Sequence, residues 1–279
     1  MIPLTPSTTR QLLEQLGHHP RRQLGQNFLI DGNIVRKSLE MAELVETDRV
    51  VEIGPGLGTL TQALLQTTVA EIFAVELDPR LATHIRETLA IDPRLKLKEA
   101  DAVDFPVGDL DLTSAGRYKI VANLPYAISS PWMDGILDLE HPPVRMVLML
   151  QKEAADRYMA PCKTKQFSPI SIFLQSAYDR TQKHTVSHHC FYPAPAVDSL
   201  LVSWTLKPKP FYFSASSRKL IRSVFTQRRK QIGSLANQWP ELIPWLTYLE
   251  SQSIPRTTRP EDIPVEYWQQ MDASLKRIA

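Results

Sequence analysis

Short apolar runs recur at regular intervals through the first three quarters of the chain, at residues 48–53 (DRVVEI), 71–77 (EIFAVEL), 95–99, 118–122 (YKIVA) and 145–150 (RMVLML). Each is bounded by turn residues and followed by a stretch with helical periodicity, the pattern of buried parallel strands joined by crossover helices. Helices are expected at 10–16, from 32 to about 44, and at 59–65, 79–89, 131–139, 152–158 and 170–178. Asp31 is a candidate cap for the second of these, and Ser129 or Ser130 for the fifth, with Pro131 at its first position. An edge strand at 180–186 and a strand of alternating faces at 199–206 follow. Past a proline-bearing link at 207–210 the pattern turns wholly helical, with segments at 214–226, 230–238, 241–251 and 261–277. The expected organisation is an α/β domain over 1–206 and a small all-α domain over 207–279.

Residues 118–132, YKIVANLPYAISSPW, hold the densest chemistry. A buried strand runs into Asn123-Leu124-Pro125-Tyr126 and then a helix, so an amide, a stiffened backbone and an aromatic ring stand at the carboxyl end of a strand. Open α/β sheets place their ligand crevice there. Such a turn suits modification of an exocyclic amine on a flat heterocycle, whose nitrogen is a poor nucleophile until its hydrogens are held by acceptors. Asn123 supplies a side-chain carbonyl, Leu124 a backbone carbonyl set by the proline that follows, and Tyr126 a face for stacking, worth about 1–3 kcal/mol per base. Taken alone, the same four residues also describe an ordinary strand-to-helix turn.

The other strand ends carry polar groups at matching positions. Gly54-Pro55-Gly56-Leu57-Gly58 lies between the 48–53 strand and a helix, where glycines let the backbone approach a ligand and the helix N-terminus favours an anionic group. The spacing is G-x-G-x-G, and Pro55 lacks an amide donor, which favours a ligand with a small anionic end over a pyrophosphate. Glu76 follows the next strand, placed to accept from ribose hydroxyls, and Asp101 the one after, placed to accept from an adenine amino group. Singly, the better reading of each acid is a helix cap or a solvated strand end. Upstream, Gln26 and Asn27 beside Phe28 are candidates to line a pocket. Downstream, Phe191, ahead of Pro193 and Pro195, is expected to form a second aromatic wall facing Tyr126. His188, His189 and Cys190 lie nearby, but no second ligand pair stands at zinc-finger spacing, so no metal is expected.

Charge changes the picture for the C-terminal half. Residues 1–140 carry 13 Lys or Arg against 20 Asp or Glu, a net of −7, and residues 141–279 carry 19 against 10, a net of +9. Residues 207–230 contain eight basic side chains and no acidic one. That asymmetry points to a polyanion partner on one face, with Arg21, Arg22, Arg222, Arg228, Arg229 and Lys230 as the phosphate-contacting candidates. The plainer reading of a charge run is a solvated helix surface. Composition is that of a water-soluble domain protein, with no apolar run of membrane-spanning length and no secretory signal. Two cysteines, Cys162 and Cys190, make no disulfide framework. A cytoplasmic monomer, with no membrane partner, is expected.

Seven segments, LGQNFLID, VVEIGPGLGTLT, AVELDPR, ADAVDF, VANLPYAISSPW, FYPAPAVDS and FTQRRK, in this order and spacing, resemble the ribosomal RNA adenine N6-dimethyltransferases, in particular the bacterial small-subunit enzymes. The resemblance spans nearly the whole chain. It implies a Rossmann-like class I methyltransferase sheet of seven mixed strands with a reversed last hairpin, plus a helical C-terminal domain. It also implies S-adenosylmethionine as methyl donor, and as substrate two adjacent adenines in the 3′-terminal hairpin of 16S rRNA in the small ribosomal subunit. Carried onto this sequence, the donor site falls at Gln26, Asn27, Leu29, Gly54, Gly56, Glu76, Leu77, Asp101, Ala102 and Asn123. The catalytic motif falls at Asn123, Leu124, Pro125 and Tyr126, and the stacking aromatic at Phe191. Two departures stand out: Phe167-Ser168-Pro169-Ile170 replaces a glycine-containing turn, and Gln231-Ile232 follows the RRK triplet. Three other readings share features. A large-subunit adenine dimethyltransferase of the macrolide-resistance type would typically carry isoleucine at Leu124. A DNA adenine methyltransferase would carry a proline there and a target-recognition domain. A non-catalytic small-subunit assembly factor would not need an intact donor loop.

Overall fold

A computed structural model describes residues 5–21, 24–113 and 117–276. The chain divides into two compact units, one of residues up to Ala155 with Arg180–Leu206, the other of Asp156–Asp179 with the residues from Lys207 onward. The expected domain boundary at 206/207 is therefore crossed by one excursion: residues 156–179, read from sequence as part of the α/β domain, group by compactness with the helical unit.

In chain order the elements are α1 (Pro6–Gln15), β1 (Phe28–Leu29), α2 (Gly32–Ala42), β2 (Arg49–Ile53), α3 (Thr59–Leu65), β3 (Glu71–Glu76), α4 (Pro79–Thr88), β4 (Leu95–Glu99) and β5 (Tyr118–Asn123). They continue with α5 (Ser129–Asp138), β6 (Arg145–Gln151), α6 (Lys152–Tyr158), α7 (Pro169–Ala177), β7 (Tyr178–Val186), β8 (Phe191–Tyr192) and β9 (Ser199–Leu206). The last four helices are α8 (Ala215–Thr226), α9 (Ile232–Leu235), α10 (Ile243–Ser251) and α11 (Val265–Lys276). Local chemistry accounts for most starts. Asp31 caps α2 by accepting from the amides of Asn33 and Ile34, and Asp78 caps α4 ahead of Pro79. The start of α5 differs from expectation. A 3-10 turn at Tyr126–Ile128 leads directly into Ser129, so neither serine acts as cap, and the Ser129 hydroxyl instead donates back to the Tyr126 carbonyl.

One seven-stranded sheet has the order β4-β3-β2-β5-β6-β9-β7. Strands β4, β3, β2, β5 and β6 run parallel, and β9 enters antiparallel beside β6. Strand order reverses between β2 and β5, which makes the carboxyl ends of those two strands the topological switch point where such sheets open a crevice. Strands β2, β5 and β6 are buried nearly throughout because helices cover both faces. The core of this unit includes Val35, Val50, Leu64, Ile72, Val121, Val147 and Leu201.

The second unit is held by its own aromatic core. Trp268 lies with ring centroids 4.8 Å from Trp245 and 5.6 Å from Phe225, and Phe167 stands edge-on to Phe225 at 6.1 Å. Both indole N–H groups find backbone carbonyls, Trp245 at Tyr267 (2.8 Å) and Trp268 at Ile263 (3.2 Å), as buried tryptophans require.

Candidate active site

Four adjacent parallel strands each deliver one group to the switch point: Gly54 follows β2, Glu76 ends β3, Asp101 follows β4 and Asn123 ends β5. All ten residues expected in the donor site line one cavity, together with Leu124, Pro125 and Tyr126. Gly54 holds φ of 67°, and a Cβ there would meet Pro125 Cγ at 2.8 Å. Only glycine lets the loop after β2 lie against the Asn123–Tyr126 turn. Gly56, at φ 59°, would drive a Cβ to 3.0 Å from the Phe28 ring.

The Glu76 carboxylate is 6% exposed, with one oxygen accepting from the Gly56 amide (3.0 Å) and the other from the Asp78 amide (2.9 Å). Burial pushes its carboxyl upward while these two N–H groups pull it back. Asp101 accepts from the Val103 amide at 2.8 Å. Gln26 is held by His18 Nε2 (3.1 Å) and the Arg21 amide (2.8 Å), which both meet its Oε1. The loop it belongs to passes close over the turn: a Cβ on Gly25 would stand 3.0 Å from the Tyr126 nitrogen.

Asn123 is oriented by a contact 96 residues away in sequence. Its Nδ2 donates to the Asn27 carbonyl at 3.0 Å, so its Oδ1 must point the other way as an acceptor. Leu124 is fully buried, its amide bonded to the Met149 carbonyl (3.3 Å), and no described residue donates to its own carbonyl. Tyr126 is anchored by its hydroxyl, 2.6 Å from Ser199 Oγ at the start of β9. Two acceptors and a fixed ring thus meet at the lip of the cavity. This arrangement can hold an amino group by its hydrogens and a flat base by its face.

Phe191 does not join them. It is 3% exposed, pairs with Leu29 across the β1–β8 bridge and sits in the main core with Ile34, Val186 and Leu201. Full burial of a phenylalanine contributes about 1.5–3 kcal/mol, which outweighs exposing it at a cavity wall. A second cavity beside Tyr126 is bounded instead by Pro193, Ala194, Pro195 and Ala196, with Asn27 and Gln151. The loop carrying these residues is tied down by His188, whose Nδ1 and amide both meet Asp198 Oδ1, at 2.8 and 3.0 Å. Cys190 Sγ stands 3.5 Å from Asp31.

The basic candidates separate into engaged and open side chains. Arg222 lies over the Phe173 ring at 5.4 Å, and Arg228 pairs with Glu261 (3.4 Å) and bonds the Lys165 carbonyl. Arg229, Lys230 and Arg21 are exposed, and Arg22 falls outside the described residues.

Sequence reading passed over Glu52. It lines the same cavity from within β2, is 2% exposed, and its Oε2 meets no hydrogen-bond partner among the described residues. Burial pushes its carboxyl up to about 8. The Thr61 hydroxyl lies nearby, but it too meets no partner among the described residues, so no well-formed bond joins it to the carboxylate. The available signal was a carboxylate inside an otherwise apolar strand.

The sheet order and a crevice of this make-up are those of the Rossmann-like methyltransferases. A family model described as ribosomal RNA adenine dimethylase matches residues 17–271. A protein named Ribosomal RNA small subunit methyltransferase A from Opitutus terrae is 54% identical over 273 residues, 96% of this chain and 97% of that one. One of the same name from Moorella thermoacetica is 38% identical over 243 residues, 82% of each. Among solved structures, a dimethyladenosine transferase from Plasmodium falciparum has the same fold, with a TM-score of 0.73 at 23% identity over 90% of this chain and 98% of that one. The chain belongs to the ribosomal RNA adenine dimethylase family.

Proposed function

We propose that this protein transfers methyl groups from S-adenosylmethionine to the N6 amino groups of two adjacent adenines in the 3′-terminal hairpin of 16S rRNA, as a step in small-subunit biogenesis. The observation that carries the reading is the orientation of Asn123, whose amide nitrogen is taken by Asn27 and whose oxygen is left to accept from an amine. The residues of the donor cavity fit S-adenosylmethionine. Gly54 and Gly56 leave a cradle that any side chain would fill, Glu76 would offer a buried carboxylate to the ribose, and Asp101 and Leu77, which line the same cavity, would hold the adenine. The donor supplies an electrophilic methyl on a sulfonium.

The chain's own residues do the rest by positioning and electrostatics. The target base leaves its stack at a cost of about a few kcal/mol and lies on Tyr126. Asn123 Oδ1 and the Leu124 carbonyl accept its two amino hydrogens, turning the nitrogen lone pair toward the donor and stabilising positive charge as it develops there. The methylated nitrogen sheds a proton to water without a strong base. In the second round one N–H remains, one acceptor suffices, and the first methyl needs room. Arg229 and Lys230 supply phosphate contacts. Leucine at 124 favours this reading over the macrolide-resistance type.

The test is methyl transfer from labelled S-adenosylmethionine to small subunits lacking the modification, followed by nucleoside analysis. N6,N6-dimethyladenosine in the 3′-terminal hairpin is expected. Its absence there, with donor binding intact, would overturn the assignment.

A further inference from the structure

We propose that Gln151 holds the target adenine through both transfers by donating a side-chain N–H to a ring nitrogen, N1 or N7, beside the amino group. This rests on the proposed function of the site. Gln151 ends β6 and pairs directly with Ser199, the first residue of β9. Opposed residues of an antiparallel pair project to the same face, with Cβ atoms about 4.5–5.5 Å apart. Ser199 Oγ is the atom that anchors the Tyr126 hydroxyl, so the Gln151 side chain rises beside the Tyr126 ring. Both residues line the second cavity.

Hydrogen bonding singles Gln151 out among the polar side chains of that cavity. Gln26 is bonded by His18 and the Arg21 amide, Asn27 donates to the Gly25 carbonyl, and Tyr126 is bonded to Ser199. Gln151 is half-buried, and its amide enters no hydrogen bond with a described residue. An amide with donor and acceptor both unused, next to a stacking ring, complements the edge of an extruded adenine. The chemistry selects which half of the amide is used. Asn123 and Leu124 claim the amino hydrogens, and dimethylation removes both of them. The ring nitrogens keep their lone pairs from first transfer to last. Monomethylated base, held by one amino hydrogen instead of two, depends on Gln151 more than the unmodified base does.

The experiment compares wild type with Gln151→Leu and Gln151→Glu, which keep size but lack the N–H donor. The substrate is small subunits carrying adenosine, 1-deazaadenosine or 7-deazaadenosine at one target position, and transfer is followed in a single turnover. On adenosine, about a tenfold loss of rate is expected, the value of one hydrogen bond, with N6-methyladenosine accumulating and affinity for S-adenosylmethionine unchanged. On one of the two deaza substrates the wild type should fall to the variants' rate, so that the tenfold gap closes. A gap that persists on both analogues, or variants as fast as wild type on adenosine, would overturn the proposal and leave the assigned reaction standing. No transfer by wild type to any of the three substrates would instead overturn the reaction itself.

Discussion

The two sides of the crevice differ in how much of their hydrogen-bonding capacity the protein itself consumes. On the proposed donor side, Glu76 receives the amides of Gly56 and Asp78, Asp101 receives that of Val103, and Gln26 is clamped by His18 and Arg21. Across β5, Asn123 spends only its N–H, the Leu124 carbonyl accepts from no described residue, and the Gln151 side-chain amide bonds to none. A site that binds one ligand in one pose gains from being built stiff by its own backbone. A site whose substrate loses an amino hydrogen at each step gains from acceptors and donors that the fold leaves open, since every internal bond would have to be broken to use them.

The largest effect expected from disturbing this contrast is at Asn123. Asn123→Ala removes the acceptor that turns the amine, and single-turnover transfer should fall by about 10²–10³-fold, the cost of one preorganised group at a developing charge. Donor and RNA affinity should both survive. Parallel loss of all three would make Asn123 a structural residue and erase the difference between the two sides.

Gly54→Ala strikes the proposed donor side. It forces a side chain into positive φ and against Pro125, at a cost of about 1–3 kcal/mol. Calorimetry with S-adenosylmethionine should show affinity weakened by about tenfold or more. Unchanged affinity would mean that the loop after β2 has freedom the packing does not suggest.

Glu52 sharpens the comparison because its Oε2, in the same cavity, meets no partner among the described residues. Its carboxyl is raised by burial to about 8 from the ordinary 4.5, so the folded protein holds a proton that the unfolded chain releases. The stabilisation is whole below about pH 4.5 and is lost as pH rises toward 8. Glu52→Gln should therefore leave Tm nearly unchanged at pH 5 and raise it by several degrees at pH 8.5. A Tm difference that does not grow with pH would show that the group is ionised in the folded state.

The smallest effect concerns the basic residues. Replacing Arg229 and Lys230 with Ala should reduce RNA affinity and flatten its salt dependence by about one unit of log slope per lost phosphate contact. Arg222→Ala should chiefly lower Tm, because its guanidinium lies over Phe173. Equal changes in salt slope for both would return Arg222 to the RNA surface.

Read from sequence alone, the strand ends were the most legible part of the molecule. Apolar runs bounded by glycine, proline and acids are local signals, and Gly54, Glu76, Asp101 and Asn123 fall at the same place in four successive strand-to-helix units. A cap such as Asp31 acts over two or three residues and was read for the same reason. What the sequence determined by itself was therefore the order of the seven sheet strands, the polar groups at their ends and the family. What only the tertiary structure decided depends on contacts between distant segments. The Asn27 carbonyl turns Asn123, and Ser199 anchors Tyr126 and sets Gln151 beside it. The β1–β8 bridge sinks Phe191 into the core, and Phe173 and Glu261 claim Arg222 and Arg228. Local pattern states which face a residue belongs to and which turn it can make. Whether its polar atoms stay open is settled by partners tens of residues away, which no local period encodes.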